Sequence, residues 1–177
     1  DKQVVRNTYT TPTPVVPESP IQVKKAFFDI TGEGKTAKAI HAGEFSFTIT
    51  PVDDAPMTGI TQTVSTKDAA SGIDTISFGS TTYTKEGVYR YLITETSGKN
   101  PSVTYDQRVI EVVVTVTKTS ANKLASKTEY FVKGNAEAAG TMTTNPTFEN
   151  LYKAPTATNF VPEVINHLVD VTSGTDI

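Results

Sequence analysis

Glu95 occupies a position at which a carboxyl group could take part in chemistry. The segment from Gly87 to Glu95 alternates as a β-strand does, which places Tyr89, Tyr91, Ile93 and Glu95 on one face. Burying an ionised carboxylate without a partner costs roughly several kcal/mol or more. We therefore expect Glu95 to be neutralised, or paired with a group that makes use of its raised pKa.

Two further polar residues fall on the apolar faces of other predicted strands. Lys25 lies two residues before Phe27 in one alternating segment, and Asn150 lies two residues after Phe148 in another. Side chains two residues apart share a face of a strand, so both polar groups are predicted to point toward a core. For Lys25 the plain alternative is a strand near a sheet edge, from which the ammonium group reaches water.

An amine, a carboxyl and a carboxamide are together the reactants of an amide crosslink. Burial lowers the pKa of a lysine and raises that of a glutamate, so that Lys25 becomes a neutral nucleophile. Glu95 then donates a hydrogen bond to the carboxamide of Asn150, polarises it and carries protons while ammonia departs. The product is a Lys25–Asn150 isopeptide bond. The alternative is an unlinked sandwich with a buried Lys25–Glu95 salt bridge.

The composition favours strands as the elements that position these groups. Threonine is the commonest residue and there is no cysteine, a usage typical of β-structure. The longest predicted strand begins at Val103 and runs to Lys118, with apolar residues on both faces, which indicates a central strand. Glu111 is expected on its outer face. Shorter strands are predicted over residues 44–50, 60–65, 73–78, 82–84 and 128–133.

The 177 residues suit one domain with tails. Residues 1–20 contain four prolines and are predicted to form an extended tail or linker with little packing. Residues 21–153 hold the strands. Residues 154–177 change in composition and are expected to be a tail or the start of a following module.

Several classes of function are not expected. The net charge of −3 and the lack of a basic cluster argue against nucleic acid, and no apolar run approaches the roughly 20 residues of a membrane span. The glycines around Lys35 lack the spacing of a phosphate-binding loop. His41 and His167 lie near no motif that would make either a base or a metal ligand. We expect no metal, no cofactor and no turnover of a substrate.

The sequence resembles the isopeptide-bonded domain of streptococcal T-antigen type major pilins. The resemblance rests on Gly87–Glu95 (GVYRYLITE), Val103–Asp106 (VTYD), Ile21–Lys25 (IQVKK) and Phe148–Asn150 (FEN), and it covers residues 21–153. It implies an all-β, immunoglobulin-like sandwich of the collagen-adhesin B type, with its first and last strands crosslinked. It also implies Lys25 and Asn150 as the joined residues and Glu95 as the catalytic one, in a single autocatalytic turnover.

The resemblance implies a structural pilin subunit, or a stalk module, of a Gram-positive cell-surface fibre. Its partners would be other pilin subunits, joined through sortase-made links at the cell wall. Lys133 lies near where a sortase-linked lysine would fall, although an ordinary solvated lysine is the better interpretation. The sequence contains no LPXTG-type sorting signal, so we expect a trimmed pilin or a module of a larger surface protein. The alternative is an adhesin module that binds host surface or matrix proteins, for which an exposed aromatic patch would be the sign.

Overall fold

The computed structural model describes residues 10–156, which form eleven strands in two sheets. The strands are β1 (Ile21–Asp29), β2 (Thr36–Ala37), β3 (Ser46–Val52), β4 (Thr63–Ser65), β5 (Ile73–Gly79), β6 (Gly87–Thr96), β7 (Val103–Thr104), β8 (Val109–Lys118), β9 (Leu124–Lys133), β10 (Thr141–Thr143) and β11 (Thr147–Tyr152). The described part of the chain contains no apolar helix of membrane-spanning length.

The first sheet is built around the pairing of the first long strand with the last. Its order is β2-β1-β11-β7, and β5 pairs with the earlier part of β1, on the side where β2 pairs with its end. β1 and β11 are parallel, with Lys25 opposite Phe148 and Phe27 opposite Asn150. The second sheet has the order β10-β9-β8-β6-β3-β4, and all its pairs are antiparallel.

The two sheets bury a core between their inner faces. Alternate residues of each long strand point inward, as the period of two requires, and they form one continuous cluster. β8 lies between β9 and β6, and its outer-face residues Val109 and Val113 are also buried. The prediction of an all-β sandwich is confirmed, and β8 is a central strand as expected. The fully buried aromatic side chains of the core are Phe27, Phe45, Phe47, Phe78, Tyr83, Tyr91 and Phe148.

Part of the proline-rich segment packs against the sandwich, although the sequence predicted little packing there. The Val15 amide donates to the carbonyl of Tyr83 (3.0 Å) and the Tyr83 amide donates back (2.8 Å). Thr13 donates to the carbonyl of Asn122 and accepts from the amide of Leu124. Proline lacks a backbone N–H, but these two residues lie between prolines and keep theirs, so an extended chain can still pair.

The prediction of one strand from Val103 to Lys118 was wrong. Val103–Thr104 pairs with β11 in the first sheet, whereas β8 begins at Val109 in the second. Between them the Asp106 carboxylate accepts the backbone N–H groups of Arg108 (3.0 Å) and Glu149 (2.9 Å). Such side-chain bonds to the backbone compete with ladder pairing, and they turn the chain from one sheet to the other.

Smaller differences concern strand ends. β3 continues through Pro51 to Val52, which is tolerated because β4 pairs only with Ser46–Thr48 and leaves the edge beside the proline unpaired. The predicted strand 60–65 is reduced to β4, and residues 82–84 form a single bridge at Tyr83. β9 starts four residues earlier than predicted, and the short strands β2 and β10 were not predicted.

Candidate functional site

Glu95 lies near the end of β6, opposite Phe47 of β3. Tyr91, Ile93 and Glu95 are buried while the intervening Thr94 is exposed, so the alternation of the strand sets which face Glu95 occupies. The Glu95 side chain is completely buried. A carboxyl group therefore projects from the second sheet into the core.

Lys25 and Asn150 come from neighbouring strands of the opposite sheet. Asn150 pairs with Phe27, two residues beyond Lys25 on the same face of β1. The parallel register therefore places the two side chains diagonally adjacent on the inner face. Both residues have no exposed surface.

The three side chains meet at the Glu95 carboxylate. The Lys25 ammonium donates to Oε2 over 2.8 Å, and the Asn150 Nδ2 donates to Oε1. The backbone N–H of Asp106 donates to the Asn150 Oδ1 over 2.8 Å. The carboxylate thus bridges an amine and a carboxamide that belong to the first and last long strands.

Aromatic rings surround the amine. The Lys25 Nζ lies 4.5 Å from the centroid of the Phe45 ring and 5.8 Å from that of Phe47. Phe45 packs edge-on to Phe27, and Phe47 packs against Phe148, with centroids 5.0 and 5.3 Å apart. These rings exclude water from the site, which strengthens its internal electrostatic interactions and penalises charge.

Burial brings the proton affinities of the amine and the acid closer together. It lowers the pKa of Lys25 from 10.5 to about 8, against the opposing attraction of Glu95. Burial also raises the pKa of Glu95, against the opposing effects of Lys25 and Asn150. Proton transfer from the ammonium to the carboxylate is therefore easier here than between the same groups in water.

The orientation of the carboxamide follows from its hydrogen-bond partners. A backbone N–H can only donate, so the atom that faces Asp106 must be the oxygen Oδ1. Glu95 therefore faces the nitrogen, which is the leaving group of the proposed reaction, and not the oxygen. Asp106 was not predicted as a site residue, because a backbone amide leaves no signature in the sequence.

The other candidate residues lie away from this cluster. The interpretation of Lys133 as an ordinary solvated lysine was wrong, because its side chain is only 11% exposed and its Nζ lies 3.7 Å from Glu111 Oε2. Glu111 is on the outer face of β8 as predicted, and it also accepts a bond from Arg90. His41 is exposed, and His167 lies outside the described residues. In the part of the chain that the structure describes, no three His, Cys, Asp or Glu side chains are grouped as metal ligands are.

Fold and site together define a class of protein. It is a two-sheet β-sandwich with parallel first and last strands that present a lysine and an asparagine to a glutamate from the facing sheet. A family model described as the Spy0128-like isopeptide containing domain (FctA) matches residues 21–153. The chain belongs to this family of pilin-like structural domains.

Two solved structures of a pilin have a similar fold. Two single-residue mutants of the major pilin from Streptococcus pyogenes superpose with TM-scores of 0.52 and 0.53, at 20% and 21% sequence identity. Each match covers 75% of this chain and 50% of that pilin, so the chain spans about half the length of these proteins. A comparison with curated protein sequences found no match.

Proposed function

We propose that this chain is a structural subunit or stalk module of a Gram-positive cell-surface pilus, stabilised by an autocatalytic isopeptide bond between Lys25 and Asn150. The observation that carries the proposal is the bridging of Lys25 Nζ and Asn150 Nδ2 by one buried carboxylate, that of Glu95. Family membership and the likeness to major pilins support a fibre as the setting.

The reaction exchanges one amide nitrogen for another. Lys25 passes a proton to Glu95, and the neutral amine attacks Cγ of Asn150, forming the Nζ–Cγ bond. As the Cγ–Nδ2 bond breaks, Glu95 delivers a proton to Nδ2 and accepts a second proton from Nζ. Ammonia leaves, and Glu95 ends as a neutral acid, which its raised pKa favours.

The packing supplies the geometry that this reaction lacks in solution. Because strand pairing and the facing sheet hold the amine, the carboxamide and the acid together, the step is effectively unimolecular. Such positioning lowers a barrier by roughly 7–11 kcal/mol in favourable cases. A single turnover follows, since the product remains part of the chain.

The parallel pairing of β1 with β11 suits a load-bearing role. β1 enters the sheet at Ile21 and β11 leaves it at Tyr152, at opposite ends of the pair. A pull on the two ends therefore acts along the strands, and the proposed bond between Lys25 and Asn150 lies across the sheared pair. On the cell surface, other pilin subunits joined through sortase-made links would apply that load.

The choice of a linking lysine stays open within this proposal. The near-complete burial of the Lys133 side chain and its contact with Glu111 weigh against that lysine. The adhesin alternative called for an exposed aromatic patch. Among residues 10–156 the most exposed large hydrophobic side chains are aliphatic: Val16, Ile73, Val88 and Met142. We therefore propose a pilin-type module and not an adhesin module.

Intact-mass spectrometry tests the crosslink directly. The wild-type chain is expected to weigh one ammonia less than its sequence, whereas Glu95→Ala, Lys25→Ala and Asn150→Ala are each expected to have the full mass of their own sequence. Lys24→Ala is the matched control, because Lys24 is the exposed neighbour on the same strand, and this variant should still lose ammonia. A wild-type mass equal to that of the sequence would reject the proposal.

A further inference from the structure

The backbone N–H of Asp106 contacts the reactive carboxamide at the atom where negative charge would develop. It donates to Asn150 Oδ1 over 2.8 Å, and both residues are buried. Within residues 10–156 it is the one hydrogen-bond donor to that oxygen, since Glu95 bonds to Nδ2 and to Lys25. The amide thus lies on the opposite side of the carboxamide from the acid.

Attack on Cγ moves an electron pair onto Oδ1, and that pair returns when the Cγ–Nδ2 bond breaks. A fixed donor within about 2.7–3.1 Å of such an oxygen stabilises the transition state more than the ground state, and removing one such donor typically slows an acyl transfer by about 10²–10³. In the unreacted chain the Asp106 amide already donates to this oxygen over 2.8 Å, so the donor is in place when charge develops there. Glu95 is then left to move protons between the two nitrogens.

The Asp106 side chain holds this amide in place. Its carboxylate accepts the backbone N–H groups of Arg108 (3.0 Å) and Glu149 (2.9 Å), the latter directly before Asn150. The Arg108 guanidinium binds both carboxylate oxygens, at 2.9, 3.1 and 2.5 Å, and also donates to the Thr147 carbonyl. This clamp ties the β7–β8 connection to the part of β11 that directly precedes the reacting asparagine.

The charge state of Asp106 agrees with the clamp. Burial alone would raise its pKa, but the hydrogen bonds from Arg108 and from the Glu149 backbone hold the pKa of Asp106 below its usual value. The carboxylate therefore stays ionised, and charge-assisted bonds of this kind are the stronger ones.

We propose that the Asp106 backbone N–H is the oxyanion donor of isopeptide formation, and that the Asp106 carboxylate, held by Arg108, is the positioning residue that aims it. The inference rests on the proposed Lys25–Asn150 reaction. It assigns polarisation of the carbonyl to the backbone and proton transfer to Glu95.

The test follows the rate of ammonia loss in full-length chains that are prepared under denaturing conditions and then diluted to fold. Asp106→Ala removes the clamp and should slow the reaction at least about 10-fold. Asp106→Asn keeps an oxygen that accepts the Glu149 amide and should recover part of the rate. Far-UV circular dichroism during the same time course reports folding separately from chemistry.

A backbone ester at position 106, introduced by semisynthesis, removes the donor and keeps the side chain. It should slow ammonia loss by about 10²-fold or more, and it gives the answer even if Asp106→Ala does not fold. An ester chain that folds and reacts at the wild-type rate would overturn the donor role, and Asp106→Ala at the wild-type rate would overturn the positioning role. A wild-type chain that never loses ammonia would instead overturn the proposed function itself.

Discussion

Joining Lys25 to Asn150 should stabilise the fold by an amount that the length of the closed loop sets. About 125 residues separate the two, and by analogy with a disulfide the restriction of the denatured chain contributes about 4.9 kcal/mol at 25 °C. For a domain of this size that corresponds to about 10–20 °C in Tm. The stabilisation arises in the unfolded state and adds to the packing of the sandwich.

The variant must remove the crosslink without leaving a charge unpaired. Glu95→Gln alone abolishes the proposed reaction but leaves the Lys25 ammonium buried beside a neutral amide. The unpaired charge lowers the free energy of unfolding by about 3–5 kcal/mol, in addition to the loss of the crosslink. The double variant Lys25→Met/Glu95→Gln removes both charges and nearly keeps their volumes. The difference between wild type and this double variant therefore isolates the crosslink.

Guanidinium unfolding gives the free energy of unfolding, and calorimetry gives the Tm, of the wild type, of Glu95→Gln and of the double variant. The mass of each protein is recorded first. We expect the wild type to exceed the double variant by about 5 kcal/mol in free energy of unfolding, and the single variant to lie lowest. The loop-closure reasoning is refuted by a wild type that lacks one ammonia yet unfolds together with the double variant.

Three further predictions address the environment of the site. The variant Asn150→Ala keeps the Lys25 amine unreacted, and its free energy of unfolding should rise by at most about 3 kcal/mol between pH 8 and 10.5. The reason is that Lys25 binds a proton in the unfolded chain over this range and has lost it in the folded one. Denaturant unfolding at several pH values in this range measures the change. Phe45→Ala should cost about 3–5 kcal/mol by denaturation and, by admitting water beside Lys25, should slow ammonia loss. Gly72→Ala should destabilise clearly more than Gly34→Ala: both glycines have positive φ, costing about 1–2 kcal/mol each, but only at Gly72 would a Cβ meet backbone oxygens, at 2.7 and 2.9 Å. Equal melting temperatures for the two alanine variants would contradict the last prediction.

The faces of the site residues could be predicted from the sequence because strand alternation is local. Lys25, Glu95 and Asn150 each lie two residues from a buried aromatic or aliphatic side chain, and the structure places all three in the core. Alternation along a strand predicts which face a residue occupies but not which strand lies beside it. That the three residues meet was therefore inferred from their chemistry and from the family resemblance. The parallel register of β1 with β11 is what makes two of them neighbours.

What the sequence did not indicate depends on backbone groups and on the choice of sheet. The Asp106 amide is the same chemical group at every residue except proline, so its role appears only when the chain is folded. The alternation of Val103–Thr104 is compatible with a place in either sheet. The hydrogen bonds of the Asp106 carboxylate determine where the chain crosses from one sheet to the other. The pairing of Val15 with Tyr83 likewise uses amides that a proline-rich composition conceals.

The positions of Lys25 and Asn150 in the parallel β1–β11 pair also determine how far one domain of a fibre could extend under load. Lys25 is four residues past the start of β1 and Asn150 is two residues before the end of β11. With these two joined, the intervening segment lies outside the covalent route between the ends. At about 3.4 Å per residue, a contour on the order of 400 Å per domain is withheld from extension. A fibre of such domains would keep a nearly fixed length up to the force that breaks a covalent bond.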